Sequence, residues 1–202
     1  QVVVGNHTFS HGNAAAEGVT MGPLATAAQL ADSLAGVAEL RREAEILFGT
    51  GLRSDGVGSP AGKGYFLAPT LLEAADARAA QAIHRREVFA PVATVLPYDG
   101  GAGTAAELVA LGEGTLVTSA YTDDPAWLGE LVASGGSATG RLYVGSEAAA
   151  PEAPGSGAAL PQNLHGGPGR AGGGEELGGV RGLGLYLQRV ALQGSRSLFE
   201  RI

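Results

Sequence analysis

The chain has 202 residues, 45% of them hydrophobic, and its 13 basic and 20 acidic side chains give a formal net charge of −7. This length and composition are typical of a sizeable domain with a buried core. The 34 glycines could suggest disorder, but the hydrophobic fraction argues against it. The negative charge argues against a nucleic-acid partner, while short apolar runs and the lack of an export signal argue against a membrane, so we expect a cytoplasmic protein.

The first predicted elements are a strand and a long helix. Val2–Gly5 is a β-branched run that ends in glycine, as a short strand does at a turn. Thr26 and Gln29 have the spacing of a capping box, in which each side chain binds a backbone N–H of the first helical turn. Apolar residues then recur at helical spacing up to Gly49, which predicts a helix over residues 27–48.

The next segments are predicted to be a loop, a strand, a helix and a second strand. Residues 49–64 are predicted to be a glycine-rich loop and residues 65–72 a strand. Because Pro69 cannot donate to a β-ladder, we expect this strand at a sheet edge or irregular near the proline. A helix over residues 74–85 and a strand over residues 92–98 follow.

Two further helices carry start signals. Thr104 and Glu107 form a second capping box, which predicts a helix that runs toward Leu111. Asp124 has the position of an N-cap carboxylate, and Pro125 suits the first helical position, where its missing N–H costs nothing. The helix that begins there is predicted to run through residue 132.

Predicted strands over residues 115–121 and 141–144 complete the pattern. Strands and helices that take turns indicate an α/β domain with a largely parallel sheet flanked by helices. Residues 146–162 are rich in Ala, Pro, Gly and Ser and predict a long surface loop. A second glycine-rich region over residues 163–184 precedes a terminal strand predicted over 185–193.

Three patterns suggest chemistry without the context it needs. Residues 167–172 match Gly-x-Gly-x-x-Gly, but no predicted strand precedes them and no acidic residue follows about 20 positions later, as a dinucleotide fingerprint requires. Residues 62–64 lack the remaining positions of a phosphate loop. His7 and His11 are four apart, as a helical metal pair would be, yet Gly and Asn around them indicate a solvated loop.

The chain contains no cysteine, which excludes disulfides, zinc–thiolate sites and a thiol nucleophile from these residues. It opens on Gln1, and its one methionine is Met21. We therefore expect the natural protein to contain residues upstream.

Residues 87–92, Glu-Val-Phe-Ala-Pro-Val, resemble the Glu-x-Phe-Gly-Pro-Val signature of the aldehyde dehydrogenase superfamily, with Ala90 in the place of the usual glycine. Residues 160–179 are similar to the branch that oxidises CoA-bound semialdehydes in aerobic phenylacetate and benzoate breakdown. Further matches to the superfamily lie along most of the chain, at Val3–Asn6, Met21–Leu24, Phe66–Leu71, His165–Gly167 and Glu176–Gly178.

The resemblance implies roles for three residues. Glu87 would accept hydrogen bonds from the hydroxyls of the nicotinamide ribose of NAD or NADP, a task that suits an acceptor-only carboxylate. Phe89 would lie against the same end of the cofactor. His165 replaces the aromatic residue that lines the aldehyde tunnel, which suits a polar or CoA-linked aldehyde, the alternative being a histidine that only fills the space.

The resemblance also implies what this chain lacks. In the family a cysteine thiolate attacks the aldehyde, a hydride passes to the nicotinamide, and a glutamate-activated water hydrolyses the thioester. We expect those residues and the dinucleotide-binding domain upstream, so this chain alone is expected to be inactive. The alternative is a naturally short, non-catalytic binding or scaffolding protein.

The domain organisation expected from the resemblance has two parts. Residues 1–184 would be a portion of an aldehyde-dehydrogenase-like catalytic domain, with an apparent insertion at residues 7–16 that has no assigned role. Residues 185–202 would be a C-terminal oligomerisation segment, whose strand pairs with the sheet of a neighbouring subunit. We therefore expect a homo-oligomer.

Overall fold

The computed structural model describes residues 10–153, 155, 165–174, 180, 183, 187 and 190–201. Its contacts divide the chain into two compact units, Gln1–Gly112 and Glu113–Ile202. The helices whose full extent lies within the described residues are α1 (Ala27–Leu40), α2 (Ala82–Arg85), α3 (Ala102–Ala110), α4 (Pro125–Gly135) and α5 (Arg196–Phe199). The strands are β1 (Ala44–Phe48), β2 (Thr70–Ala74), β3 (Val92–Val95), β4 (Thr115–Tyr121), β5 (Thr139–Gly145), β6 (His165–Gly166) and β7 (Gly173–Gly174).

Helix α1 begins where the sequence predicts and ends earlier. Thr26 is the N-cap, and its hydroxyl accepts a hydrogen bond from the backbone N–H of Gln29 at 3.1 Å. The predicted extension to residue 48 is wrong, because residues 44–48 form β1. Ala44 fits the apolar spacing of the helix, but its backbone pairs with Ala74 of β2, and this long-range pairing decides the conformation.

The sheet of the first unit has the order β1-β2-β3, with β1 antiparallel and β3 parallel to β2. Leu72 of β2 is fully buried and forms the core with Leu40 of α1 and Ala44 of β1. Of the two alternatives predicted for the strand near Pro69, the edge position is wrong, since β2 is central. The other alternative, an irregular strand, agrees with the register shift in the β1–β2 pairing opposite Leu71 and Leu72. The proline is tolerated because the ladder begins one residue later, at Thr70.

Two predicted helix starts in the first unit differ from the structure. Of residues 74–85 only Ala82–Arg85 is helical, because the chain first makes a turn at 77–79. Helix α3 begins at Ala102 with Gly101 as its N-cap, so the predicted capping box of Thr104 and Glu107 is wrong. Both side chains take more distant partners, as the Thr104 hydroxyl donates to Asp99 at 3.0 Å and Glu107 pairs with Arg78 at 2.9 Å.

In the second unit, β4 lies parallel to β5. The bounds predicted for β4 are confirmed, and the strand predicted over residues 141–144 lies inside β5. Asp124 caps α4 as predicted, with its carboxylate accepting from the N–H of Ala126 at 2.8 Å and of Trp127 at 3.2 Å. Helix α4 then continues three residues beyond the predicted end, to Gly135.

Some predicted elements lie wholly or partly outside the described residues, namely the strand at residues 2–5 and most of the terminal strand at 185–193. Leu187 and residues 190–193 are described and carry no strand pairing within this chain. Of the predicted loop at 146–162, residues 147–153 are exposed. No helix in the described ranges is long and apolar enough to span a membrane.

Candidate functional site

The segment between α2 and β3, residues 86–91, carries the predicted cofactor contacts. Exposure alternates along it: Arg86, Val88 and Ala90 are partly buried, whereas Glu87 and Phe89 are exposed, Phe89 to 67%. Such alternation is typical of extended backbone, in which successive side chains point to opposite sides. The structure therefore leaves both Glu87 and Phe89 open to solvent.

The inner side of this segment is packed. Val88 lies against the buried cluster of Leu40, Ala44 and Leu72. It approaches α1 at Gly36, where an added Cβ would come within 2.7 Å of the Val88 Cγ2. A glycine inside this helix thus makes room for the segment, at a cost in helix propensity of about 1 kcal/mol relative to alanine.

Arg86 ties the start of the segment to α1. Its guanidinium donates to Asp32 twice, at 2.6 Å to the carboxylate Oδ1 and at 3.1 Å to the backbone carbonyl. Glu39 lies 3.7 Å away as a second acidic neighbour. The hydrogen bond and charge of Asp32, followed by the charge of Glu39, raise the pKa of Arg86 above its ordinary value.

Gln29 ties the middle of the segment to the same helix. Its side-chain Nε2 donates to the backbone carbonyl of Phe89 at 2.7 Å. Its Oε1 accepts from the N–H of Ala25 at 2.9 Å, while its own N–H donates to the Thr26 hydroxyl. Only half of the predicted capping box is present, because Thr26 accepts from Gln29 while the Gln29 side chain accepts from Ala25 instead of from the N-cap Thr26. The same Gln29 amide also contacts the motif.

Thr70 holds the end of the segment. Its backbone N–H donates to the carbonyl of Pro91 at 2.9 Å. Pro91 directly precedes β3. Its buried hydroxyl accepts from the N–H of Gly51 at 3.0 Å and donates to the carbonyl of Ala68 at 2.9 Å. Both groups of this buried threonine are thus hydrogen-bonded, as burial requires.

Glu43 supports the approach to the segment, and sequence reasoning missed it. One carboxylate oxygen accepts from three successive backbone N–H groups at the start of α2, those of Gln81, Ala82 and Ile83, at 2.9, 2.9 and 3.3 Å. A carboxylate at a helix N-terminus satisfies donors that the first turn leaves free. No local pattern could have indicated it, because acceptor and donors lie almost 40 residues apart along the chain.

In the second unit, the backbone of His165 lies in β6 opposite Gly174 of β7. The Gly-x-Gly-x-x-Gly match at residues 167–172 lies between these two antiparallel strands and contains the 3₁₀-helix Gly169–Ala171. A dinucleotide fingerprint requires a strand followed by an α-helix, so this segment has a different geometry.

The histidines considered as a metal pair are only partly described. His7 lies outside the described residues, and His11 shares a hydrogen bond of 2.7 Å between its Nε2 and the hydroxyl of Ser54. In the described part of the chain, no group of three or more His, Asp or Glu side chains is arranged to hold a metal ion.

Comparison with known proteins identifies the family. The aldehyde dehydrogenase family model matches residues 3–158, and the chain therefore belongs to this family. It is 42% identical over 139 residues to Protein MaoC of Klebsiella aerogenes, covering 69% of this chain and 41% of that protein. It is 41% identical over 157 residues to 3,4-dehydroadipyl-CoA semialdehyde dehydrogenase of Aromatoleum evansii, covering 78% of this chain and 30% of that protein.

The fold agrees with the family. Lactaldehyde dehydrogenase from Escherichia coli superposes with a TM-score of 0.63 at 27% identity, over 89% of this chain and 34% of that one. The resemblance inferred from the sequence and the expected α/β fold of an aldehyde dehydrogenase catalytic domain are thereby confirmed. The chain spans less than half the length of each of these relatives.

Proposed function

We propose that this chain is part of an NAD(P)-dependent aldehyde dehydrogenase, in which Glu87 and Phe89 hold the nicotinamide-ribose end of the cofactor. The observation that carries the proposal is the outward position of both side chains on a segment fixed to α1 at Arg86 and to β2 at Pro91. A binding surface held in this way loses little conformational entropy when its ligand arrives.

The residues present fit such a cofactor. The Glu87 side chain is exposed, and its carboxylate can accept from both donors of a ribose diol. The Phe89 ring offers an exposed apolar face beside it. When bound, NAD(P) supplies the acceptor for the hydride that leaves the substrate, and Glu87 and Phe89 orient the end of the cofactor that receives it.

We propose a CoA-linked semialdehyde as the substrate, in a route that degrades aromatic compounds. The 41% identical relative from Aromatoleum evansii is named for a substrate of this type. Within the same proposal His165 lines the aldehyde site, where an imidazole suits a polar substrate better than an apolar aromatic ring would.

We further propose that the 202 residues alone do not oxidise an aldehyde. The family chemistry forms a covalent bond between the aldehyde carbon and a cysteine sulfur, and this chain has no cysteine. The thiol would come from residues upstream of Gln1.

The same proposal includes a homo-oligomer formed through residues 185–202. Five aliphatic side chains in and just before this segment are more than half exposed in the single chain: Val180, Leu183, Leu187, Val190 and Leu192. A second chain that covered these side chains would remove their apolar surface from water, which favours association.

The test begins with the native protein, identified in source cells by an antibody against residues 185–202, and then expressed in that form. Reduction of NAD⁺ and of NADP⁺ is measured with free and CoA-linked semialdehydes. We expect Glu87→Gln to raise the cofactor KM about tenfold, since a hydrogen bond to a charged group contributes about 1.5–3 kcal/mol.

Glu45→Gln is the matched control, because Glu45 is an exposed glutamate on β1 away from the motif. Its cofactor KM should equal that of the wild type. A native species of about 20.1 kDa that binds NADH without oxidising aldehydes would replace the enzyme with a binding protein. An unchanged KM in Glu87→Gln would remove the proposed cofactor contact.

A further inference from the structure

We infer that Gln29 is a positioning residue, which sets the orientation of Glu87 and Phe89 toward the cofactor through its hydrogen bond to the Phe89 carbonyl. This inference rests on the function proposed above. It assigns to one side chain of α1 a task that the motif itself cannot perform, namely fixing the backbone from which both cofactor contacts project.

The hydrogen bond is short and its donor is held in place. The Gln29 Nε2 lies 2.7 Å from the Phe89 carbonyl oxygen, across 60 positions of sequence. The other end of the same amide accepts from the N–H of Ala25 at 2.9 Å, so both ends of the side chain are fixed. An amide bound at both ends cannot rotate without breaking a hydrogen bond.

This hydrogen bond lies in the middle of the segment, between its two anchored ends. The segment is held at Arg86 by the ion pair with Asp32 and at Pro91 by the N–H of Thr70. Between these points, the backbone of residues 87–90 has one internal hydrogen bond, from the N–H of Ala90 to the carbonyl of Val88 at 2.8 Å. The Ala90 N–H is one end of the peptide joining Phe89 to Ala90, and the Gln29 contact holds the other end, the Phe89 carbonyl, and ties it to α1 directly beside an exposed side chain.

Gln29→Glu separates positioning from helix capping. A carboxylate at this position still accepts from Ala25, and a negative charge in the first turn favours the helix. It has no donor for the Phe89 carbonyl, so an oxygen faces an oxygen and the segment is released. We expect about a tenfold weaker Kd for NADH and NADPH, measured by fluorescence titration of the native protein, with kcat within about twofold and no fall in Tm.

Thr26→Ala is the matched control, because it removes the cap of the same helix and leaves the Gln29 side chain facing Phe89. It should lower Tm and leave the Kd for NADH unchanged. Hydrogen exchange of the unliganded protein adds a direct readout: amides of residues 86–92 should exchange faster in Gln29→Glu and at the wild-type rate in Thr26→Ala.

Failure of this inference is distinguishable from failure of the proposed function. If Glu87→Gln weakens NADH binding and Gln29→Glu does not, Gln29 has no positioning role and the cofactor contact stands. If Gln29→Glu weakens binding while exchange over residues 86–92 is unchanged, Gln29 acts in another way and the inference is wrong. If Glu87→Gln leaves the Kd unchanged, the cofactor contact and the inference built on it are both overturned.

Discussion

Two segments that contain sequence motifs are held in place by different kinds of contact. Residues 86–91 of the first unit are fixed mainly by side-chain contacts with α1 and with the core, together with the backbone hydrogen bond from Thr70 to Pro91. Residues 166–173 of the second unit are fixed by their own backbone and by its close approach to neighbouring strands. The first kind of segment leaves side chains free to contact a ligand, whereas the second requires glycine where its backbone approaches other backbone atoms.

The backbone contacts of the second segment explain its glycines. The N–H of Gly167 donates to the carbonyl of Gly172 at 3.0 Å, and the N–H of Arg170 donates to that of Glu113 at 2.9 Å. Gly140 of β5 lies so close that an added Cβ would collide with the carbonyl oxygen of Gly166. Within the segment itself, an added Cβ at Gly167 would lie 2.6 Å from the Thr115 carbonyl oxygen and one at Gly169 would meet the Glu113 carbonyl oxygen, so packing accounts for glycine at these two positions.

The largest expected effect tests the core beneath the first segment. Leu72→Ala removes a fully buried side chain from the cluster on which Val88 packs, and we expect a loss of about 2–5 kcal/mol in the free energy of unfolding. Urea unfolding measures this loss. In hydrogen exchange, amides of residues 86–92 should lose protection more than those of residues 166–173.

Leu47→Ala serves as the control, since Leu47 lies on β1 of the same sheet and is 50% exposed. It should change the free energy of unfolding by no more than about 0.5 kcal/mol. Equal losses of protection in the two segments of Leu72→Ala would contradict the distinction between them.

The second prediction tests the glycine-rich segment of the second unit. Gly140→Ala introduces a Cβ that meets the Gly166 carbonyl and would lie 2.8 Å from the Gly167 Cα. We expect a loss of about 1–3 kcal/mol from this overpacking, seen as faster exchange over residues 166–173 and unchanged exchange over 86–92. Gly129→Ala, on the exposed side of α4 with no atom within 4 Å of the new Cβ, should instead gain stability, by about 1 kcal/mol. A stable Gly140→Ala protein would show that the close approach is dispensable.

Where the sequence predicted the fold correctly, the signal was local. Asp124 followed by Pro125 satisfies the first turn of α4 by itself, and the run at 115–121 needs no distant partner to be recognised as a strand. The helix predicted over residues 44–48 was wrong because Ala44 fits a helical spacing as well as a strand, and pairing with β2 decides between the two.

The residues of the candidate site also differ in whether a local pattern reveals them. Glu87 and Phe89 lie in a contiguous motif and could be named from the sequence, although their cofactor role stays a prediction. The anchors could not be named, because the partners of Phe89 and Arg86 lie on α1, more than 50 positions earlier. Gln29 was recognised through its capping role, and only the fold shows that its amide also reaches the motif.

The smallest expected effect is a pH dependence in the first unit. The backbone N–H groups of Ala79 and Arg78 bind the Asp76 carboxylate and lower its pKa below the usual value. A lowered pKa means that the folded state favours the ionised form, so this contribution to stability is full above about pH 5 and is lost as pH falls below about 4. Asp76→Asn should therefore flatten the acid limb of stability in urea unfolding between pH 6 and 3. Because backbone hydrogen bonds are the main cause, added salt should leave the difference in place, and a difference that vanished in salt would point to the charge of Arg78 instead.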